Sequence, residues 1–283
     1  MPRFAYVDGC FIRHADAAIH IEDRGYQFAD AVYEVWSVAD GRLRDREGHF
    51  ERLERSLGEL RIPNPRSQAA YETIIAELLR RNRLRDALVY LQVSRGVARR
   101  DHVFPDPAPE PTLVLTAKAV NYAAWEAQAE AGVGVITLPD QRWARCDIKT
   151  VGLLPNVLAR QAAKEAGAAE AWMVDASGHV TEGGSSNAWI VSPDGALITR
   201  PADSAILNGV TRRAAMACAE QAGLRLEERA FTVDEAKQAR EAFITSASTF
   251  VTPVVRIDDA AVGNGAPGSV ATLLRQVYRE MPL

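Results

Sequence analysis

Twice in the first 41 residues an Asp-Gly pair stands between apolar runs. Phe4-Ala5-Tyr6-Val7 and Phe11-Ile12 flank Asp8-Gly9, and Ala31-Val32-Tyr33-Glu34-Val35-Trp36-Ser37-Val38 leads into Asp40-Gly41. The dipeptide suits a type I′ turn, so the spacing predicts antiparallel hairpins at the head of the chain. Helical spacing follows at Phe50, Leu53, Leu57 and Leu60, stopped by Pro63 and Pro65. Ser67 can cap a second helix to about residue 81, with Ile74, Leu78 and Leu79 on its inner side. Strands are expected at 87–93 and 112–118, joined by an arginine- and proline-rich loop over 95–111.

From 121 to 132 the chain turns polar and alanine-rich, which places a domain boundary there. The expectation is a smaller N-terminal α+β domain (1–120), an interdomain linker (121–132) and a larger C-terminal domain (133–283). In the latter, strands at 133–138 and 147–150 precede a helix at 155–166 ending at Gly167. Val180 to Asn187 reads as a turn among short strands at 171–174, 187–191 and 197–199. A helix opens at Gly209-Val210-Thr211, a strand covers 242–246, and the last helix covers 269–280. The fold class is α+β (mixed α/β), in two domains.

Several classes fall away on composition. The 283 residues are 47% hydrophobic, which allows real cores and excludes disorder, collagen and coiled coil. No apolar run approaches the roughly 18 residues of a membrane span, and Met1-Pro2-Arg3-Phe4-Ala5 has no apolar stretch behind it, so no membrane span or signal peptide is expected. A net charge of −4 leaves no electrostatic footprint for nucleic acid. Cys10, Cys146 and Cys218 make an odd, scattered set, and a cytoplasmic location is expected. Without Cys-x-x-Cys or His-x-x-x-His spacing, no metal site is expected. Hydrolase elbows and dinucleotide glycine motifs are also missing.

Lysine is the better lead. Of 33 basic residues, 29 are arginine and four are lysine. Lys164 and Lys237 stand among charged neighbours and read as solvated, while Lys118 ends a strand and stays open. Lys149 lies in Trp143-Ala144-Arg145-Cys146-Asp147-Ile148-Lys149-Thr150. Alone, it reads more readily as a strand lysine facing water than as a reactive amine, although burial would lower its pKa and make it a nucleophile. Its company alters the balance. Val180-Thr181-Glu182-Gly183-Gly184-Ser185-Ser186-Asn187 offers an isolated carboxylate, and Leu207-Asn208-Gly209-Val210-Thr211-Arg212 opens a helix with backbone amides and a hydroxyl suited to an anion. Either stretch alone is an ordinary turn or cap. An amine, a carboxylate and a phosphate-type helix start together are what pyridoxal phosphate requires.

On these residues the chain resembles the fold type IV pyridoxal-phosphate enzymes, and among them the D-amino-acid aminotransferases. The match is densest in Glu22-Asp23-Arg24-Gly25-Tyr26-Gln27-Phe28-Ala29-Asp30-Ala31-Val32-Tyr33-Glu34-Val35, in Arg142 to Lys149, in Thr181-Glu182-Gly183, in Gly209-Val210-Thr211-Arg212, and in Thr245-Ser246 with Thr252-Pro253-Val254. The resemblance implies two domains with pyridoxal 5′-phosphate between them. It implies that Lys149 holds the cofactor covalently and shuttles the proton, and that Glu182 faces the pyridine nitrogen. Arg52, Gly209, Val210, Thr211, Ser246 and the backbone at Ala247 would hold the phosphate, Arg142 would lie near the ring hydroxyl, and Leu207 would support the ring face. The family pattern carries a threonine where this chain has Ala247, so weaker cofactor retention is expected. Tyr33, Arg100 and His102 would grip the substrate α-carboxylate, with Ser185 also at the substrate. The loop of Arg100 and His102 would reach the neighbouring subunit's site, which implies a homodimer.

The implied activity is ping-pong transamination between a D-amino acid (D-alanine, D-glutamate or similar) and a 2-oxo acid such as 2-oxoglutarate or pyruvate, through pyridoxamine phosphate. Arg100 and His102 argue against a branched-chain L-amino-acid aminotransferase. A 4-amino-4-deoxychorismate lyase would release pyruvate without an acceptor, and an intact Lys149 and Glu182 argue against a noncatalytic cofactor carrier.

Overall fold

The fold is taken from a computed structural model that describes residues 3–281. The chain forms two compact units. Of the described residues, one unit runs to Asn121 and includes Ile148–Gly152; the other comprises Tyr122–Asp147 and the stretch from Leu153 to Met281.

In the first unit, β1 (Phe4–Val7) pairs with β2 (Cys10–Arg13), Val7 opposite Cys10, so Asp8 and Gly9 are the whole loop. Their φ values of 43° and 95° are both positive, as a type I′ turn demands. The device recurs between β3 (Ala31–Ala39) and β4 (Arg42–Leu43), where Asp40 and Gly41 have φ of 50° and 77°. With β5 (Ala87–Ser94) and β6 (Thr112–Ala119) they make a six-stranded antiparallel sheet, ordered β2-β1-β6-β5-β3-β4. Helix α1 (Arg24–Phe28) precedes β3, and α2 (Arg46–Glu59) and α3 (Gln68–Asn82) follow β4. Ser67 caps α3 by accepting from the Ala70 amide. Leu53 and Leu57 of α2 and Ile75 and Leu78 of α3 bury against Trp36, Val89, Leu91 and Leu115, and Ile148 joins that core.

The second unit begins with α4 (Tyr122–Ala131). The stretch read as a linker is therefore a helix: alanine favours it, and Tyr122 and Trp125 fasten it by packing their rings on Phe250. Then come β7 (Val133–Pro139), α5 (Leu154–Glu165), β8 (Glu170–Val174), β9 (Val180–Gly183), β10 (Asn187–Val191), β11 (Leu197–Thr199) and α6 (Val210–Gln221). The chain closes with β12 (Leu226–Glu228), α7 (Val233–Lys237), β13 (Glu241–Ser246), β14 (Phe250–Ile257), β15 (Ala260–Ala261) and α8 (Ser269–Glu280). The nine strands form one mixed sheet along β12-β11-β10-β13-β14-β7-β8-β9, with β15 against β14. Both faces of its centre are covered. Ala188 and Ile190 of β10 and Ala242 and Ile244 of β13 enter one core, while the alternate residues Trp189, Val191 and Phe243 enter another that α6 and α8 share.

Two further expectations change. Residues 147–150 are no strand: the Thr150 amide folds back on the Ile148 carbonyl at 2.8 Å, and Thr150 alone makes a bridge, to Val32. Val180–Gly183 is strand β9 rather than part of a turn, because it pairs antiparallel with β8.

Candidate active site

Within the first unit, the short segment around Lys149 is sewn to the start of β3. The Tyr33 amide donates to the Lys149 carbonyl at 3.0 Å and the Val151 amide to the Ala31 carbonyl at 3.1 Å. The Lys149 amide donates to Ser56 Oγ at 3.3 Å. With its backbone fixed and Ile148 buried beside it, Lys149 is half-buried and sets its Nζ 4.2 Å from the ring centroid of Tyr33. Tyr33 itself stacks on Tyr90 at 5.6 Å. One residue further along β3, Glu34 is fully buried. It accepts from Arg52 Nε at 2.8 Å and Nη2 at 2.9 Å, and contacts His49 Nδ1 at 2.7 Å. Burial works against the Glu34 charge, but Arg52 and His49 outweigh it and hold the carboxyl well below its ordinary range. Burial also pushes His49 below its ordinary value.

In the same unit Arg100 and His102 are exposed, in the 95–111 loop, and come together at the ring of Phe28. Tyr33 is fixed separately, on β3.

Within the second unit the carboxylate of Glu182 is nearly buried and held from three sides. Arg142 Nη1 pairs with its Oε1. Asn187 Nδ2 donates to Oε2 at 2.9 Å, and the Leu207 amide donates at 3.1 Å to Oε1 and 3.2 Å to Oε2. Arg142 is fixed in turn by Asp140, with Nε at 3.0 Å and Nη2 at 2.7 Å. Burial opposes the Arg142 charge, yet Asp140 and Glu182 hold its pKa above the ordinary arginine value. Such a carboxylate is pre-set as a hydrogen-bond acceptor of fixed direction.

The same unit holds the helix start. Gly209 stands at the N-cap of α6 with no side-chain cap, so the first-turn amides are not satisfied by a capping side chain. Thr211, 2% exposed, has a buried Oγ1 without a hydrogen-bond partner. A buried hydroxyl left unpaired is costly, and at a helix N-terminus an anion is the group that satisfies it. At the end of β13, Ser246 Oγ lies 3.2 Å from Ser248 Oγ and 3.0 Å from Thr249 Oγ1, around the turn that carries Ala247. Each of the two places offers donors of the kind an anion takes.

Ser185 is exposed, and its hydroxyl donates to the buried Glu170 at 2.8 Å. Sequence reasoning passed over Glu34, Asp140 and Asn187, which hold Arg52, Arg142 and Glu182. A lone carboxylate inside the apolar β3 run was the available signal for Glu34; nothing comparable marks Asp140 or Asn187. Among the described residues there is no cluster able to hold a metal ion.

The chain matches the family model of the class IV amino-transferases over residues 31–257. It is 38% identical to a D-alanine aminotransferase of Staphylococcus haemolyticus over 276 residues, 97% of this chain and 96% of that one. A D-alanine aminotransferase of Bacillus licheniformis is 41% identical over 261 residues, 92% and 90% of the two chains. Among solved structures, a T.th. branched-chain amino acid aminotransferase with pyridoxamine 5′-phosphate superposes with a TM-score of 0.89 at 26% identity, covering 99% of this chain and 94% of that one. By the family model and by these relatives, the chain belongs to the class IV aminotransferase family.

Proposed function

We propose that this chain is a pyridoxal-phosphate-dependent D-amino-acid aminotransferase, exchanging the amino group of D-alanine, D-glutamate or a similar D-acid with a 2-oxo acid. The observation that carries the cofactor is the buried, unpartnered Thr211 hydroxyl at the uncapped start of α6. Val210, Thr211, Gly209, Ser246, the Ala247 backbone and Arg52 hold the cofactor phosphate, and Arg142 stands by the ring hydroxyl. Glu182 accepts from the ring nitrogen, and Leu207 supports the ring. Bound there, the cofactor supplies the electron sink of transamination. Lys149 binds it covalently and moves the proton at the substrate Cα, a contribution commonly worth about 10² to 10⁴ in rate. Tyr33, Arg100 and His102 grip the α-carboxylate, with Ser185 at the rim, and that grip sets the hand. Likeness to D-alanine aminotransferases over nearly the whole chain supports the substrate class.

The protein acts as a homodimer, in which the Arg100/His102 loop serves the neighbouring subunit. The exposed row Leu154, Val157 and Leu158 on α5 supports an apolar partner surface. The free cysteines support the cytoplasm as its location. Among the described residues no helix is long and apolar enough to cross a membrane.

Borohydride reduction of the loaded protein followed by peptide mapping tests the site, and pyruvate formation from D-alanine tests the reaction. A tag on Lys149, and pyruvate whose formation beyond one equivalent per bound cofactor needs a 2-oxo acid acceptor, are the expected results. A tag on Lys118, or pyruvate formed beyond one equivalent per bound cofactor without an acceptor, would overturn the reading.

A further inference from the structure

Phe28 closes α1, and three nitrogen-bearing side chains gather at its ring. Arg24 Cζ lies 4.8 Å and Arg100 Cζ 4.7 Å from the ring centroid. The His102 ring sits 5.5 Å away, tilted by 57°. Arg24 is buried and cannot wander, because its Nε donates to Asp30 Oδ2 at 2.8 Å. Its Nη1 donates at 2.7 Å to the carbonyl of Asp101, the residue between Arg100 and His102. Asp30 also takes Arg95 Nε at 2.7 Å and Nη2 at 2.9 Å.

The base of this arrangement is rigid. Asp23 caps α1 by accepting from the Gly25 and Tyr26 amides, and Ser94 Oγ at the end of β5 donates to it at 2.7 Å. A Cβ at Gly25 would stand 2.8 Å from that of Ser94, so helix and strand end are in close contact. Arg100 and His102, by contrast, are exposed and have no ion-pair partner among the described residues. They are donors without an acceptor on a loop whose main chain and side chains are held from one place.

We infer that Phe28, steadied by Arg24, is the positioning platform that sets Arg100 and His102 for a substrate carboxylate. A guanidinium lying over a ring spends its face and keeps its in-plane N–H fork for an acceptor. Stacking also removes rotamers before the ligand arrives, so binding loses less entropy. Arg24 does the same for the main chain through Asp101. Neither Phe28 nor Arg24 touches the carboxylate in this account. The inference rests on the proposed role of Arg100 and His102.

The test is steady-state kinetics of the loaded enzyme with D-alanine and 2-oxoglutarate for Phe28→Leu, Phe28→Tyr, Arg24→Ala and Arg100→Ala. Phe28→Leu and Arg24→Ala should each raise KM for both carboxylates about five- to tenfold, the scale of one cation–π contact or hydrogen bond. Their kcat should stay within about twofold and their cofactor absorption unchanged. Phe28→Tyr, which keeps the ring, should stay near the parent. If Arg100→Ala raises KM while Phe28→Leu and Arg24→Ala do not, or if those two lower kcat alone, the platform is wrong. If Arg100→Ala leaves KM unchanged, the carboxylate grip itself fails, and the platform with it.

Discussion

A Cβ on Gly209 would stand 2.0 Å from Oδ1 of Asn187. Asn187 cannot step aside cheaply, since its Nδ2 donates to Glu182 Oε2 and to the Leu207 carbonyl, each at 2.9 Å. The glycine at the start of α6 and the amide that braces the Glu182 carboxylate are therefore one mechanical unit. Gly209→Ala should cost about 1–3 kcal/mol in stability, as overpacking does, and should weaken cofactor binding. Calorimetry of the cofactor-free form and titration with pyridoxal phosphate check this. A parental Tm together with a parental Kd would contradict the coupling.

Thr211→Val separates the ligand role from packing. Valine replaces an unpaired buried hydroxyl with a methyl of the same shape, so the cofactor-free protein should be as stable as the parent or more so. Affinity for pyridoxal phosphate should fall about ten- to a hundredfold, the worth of a charge-assisted hydrogen bond. Unchanged affinity would remove Thr211 from the phosphate site.

Much of this was legible in the sequence because the signals were local. Asp8-Gly9 and Asp40-Gly41 specify their turns by backbone conformation alone, and Ser67 its helix by one hydroxyl. The pieces set by tertiary contact were not. Strand β14 carries Pro253, a residue that argues against a central strand; Pro253 falls one residue before β7 begins to pair at Val254, so it has a partner strand on one side only. The 147–150 stretch has a strand's composition, yet it meets β3 at a single bridge. For the site, the motif residues could be matched one at a time. The braces on them, such as Glu34 on Arg52 across 18 positions, arise only when β3 and α2 meet.

The Glu34–His49–Arg52 cluster makes stability depend on acid. His49 has a pKa below its ordinary value of 6.5 when folded, so the unfolded chain binds its proton first and stability falls as pH drops below about 6.5. Glu34 is also depressed, so its contribution is present above the ordinary carboxylate pKa near 4.5 and is lost as pH falls further. Both act in one direction. Tm should decline from pH 7 to 5, and His49→Gln should flatten that part of the curve. Glu34→Ala, which takes from the buried Arg52 the carboxylate that accepts its Nε and Nη2, should cost about 3–5 kcal/mol at pH 7. An identical Tm profile for His49→Gln would contradict the assignment.

Glu182→Gln keeps an acceptor for the Leu207 amide but loses the charge opposite Arg142, which Asp140 still pairs. The cofactor should remain bound, while conversion by D-alanine slows about ten- to a hundredfold with the lost charge-assisted bond. Stopped-flow absorption reads both. An unchanged rate would assign the ring nitrogen to another group.

The central claim is the hand of the substrate, and single-turnover absorption of the loaded enzyme mixed with D-alanine or L-alanine tests it most directly. The account predicts that D-alanine converts the bound cofactor and that its second-order rate constant exceeds that of L-alanine by at least about 100-fold, because a fixed carboxylate grip presents only one hand's Cα hydrogen to Lys149. Equal rate constants for the two hands, or conversion by L-alanine alone, would contradict it.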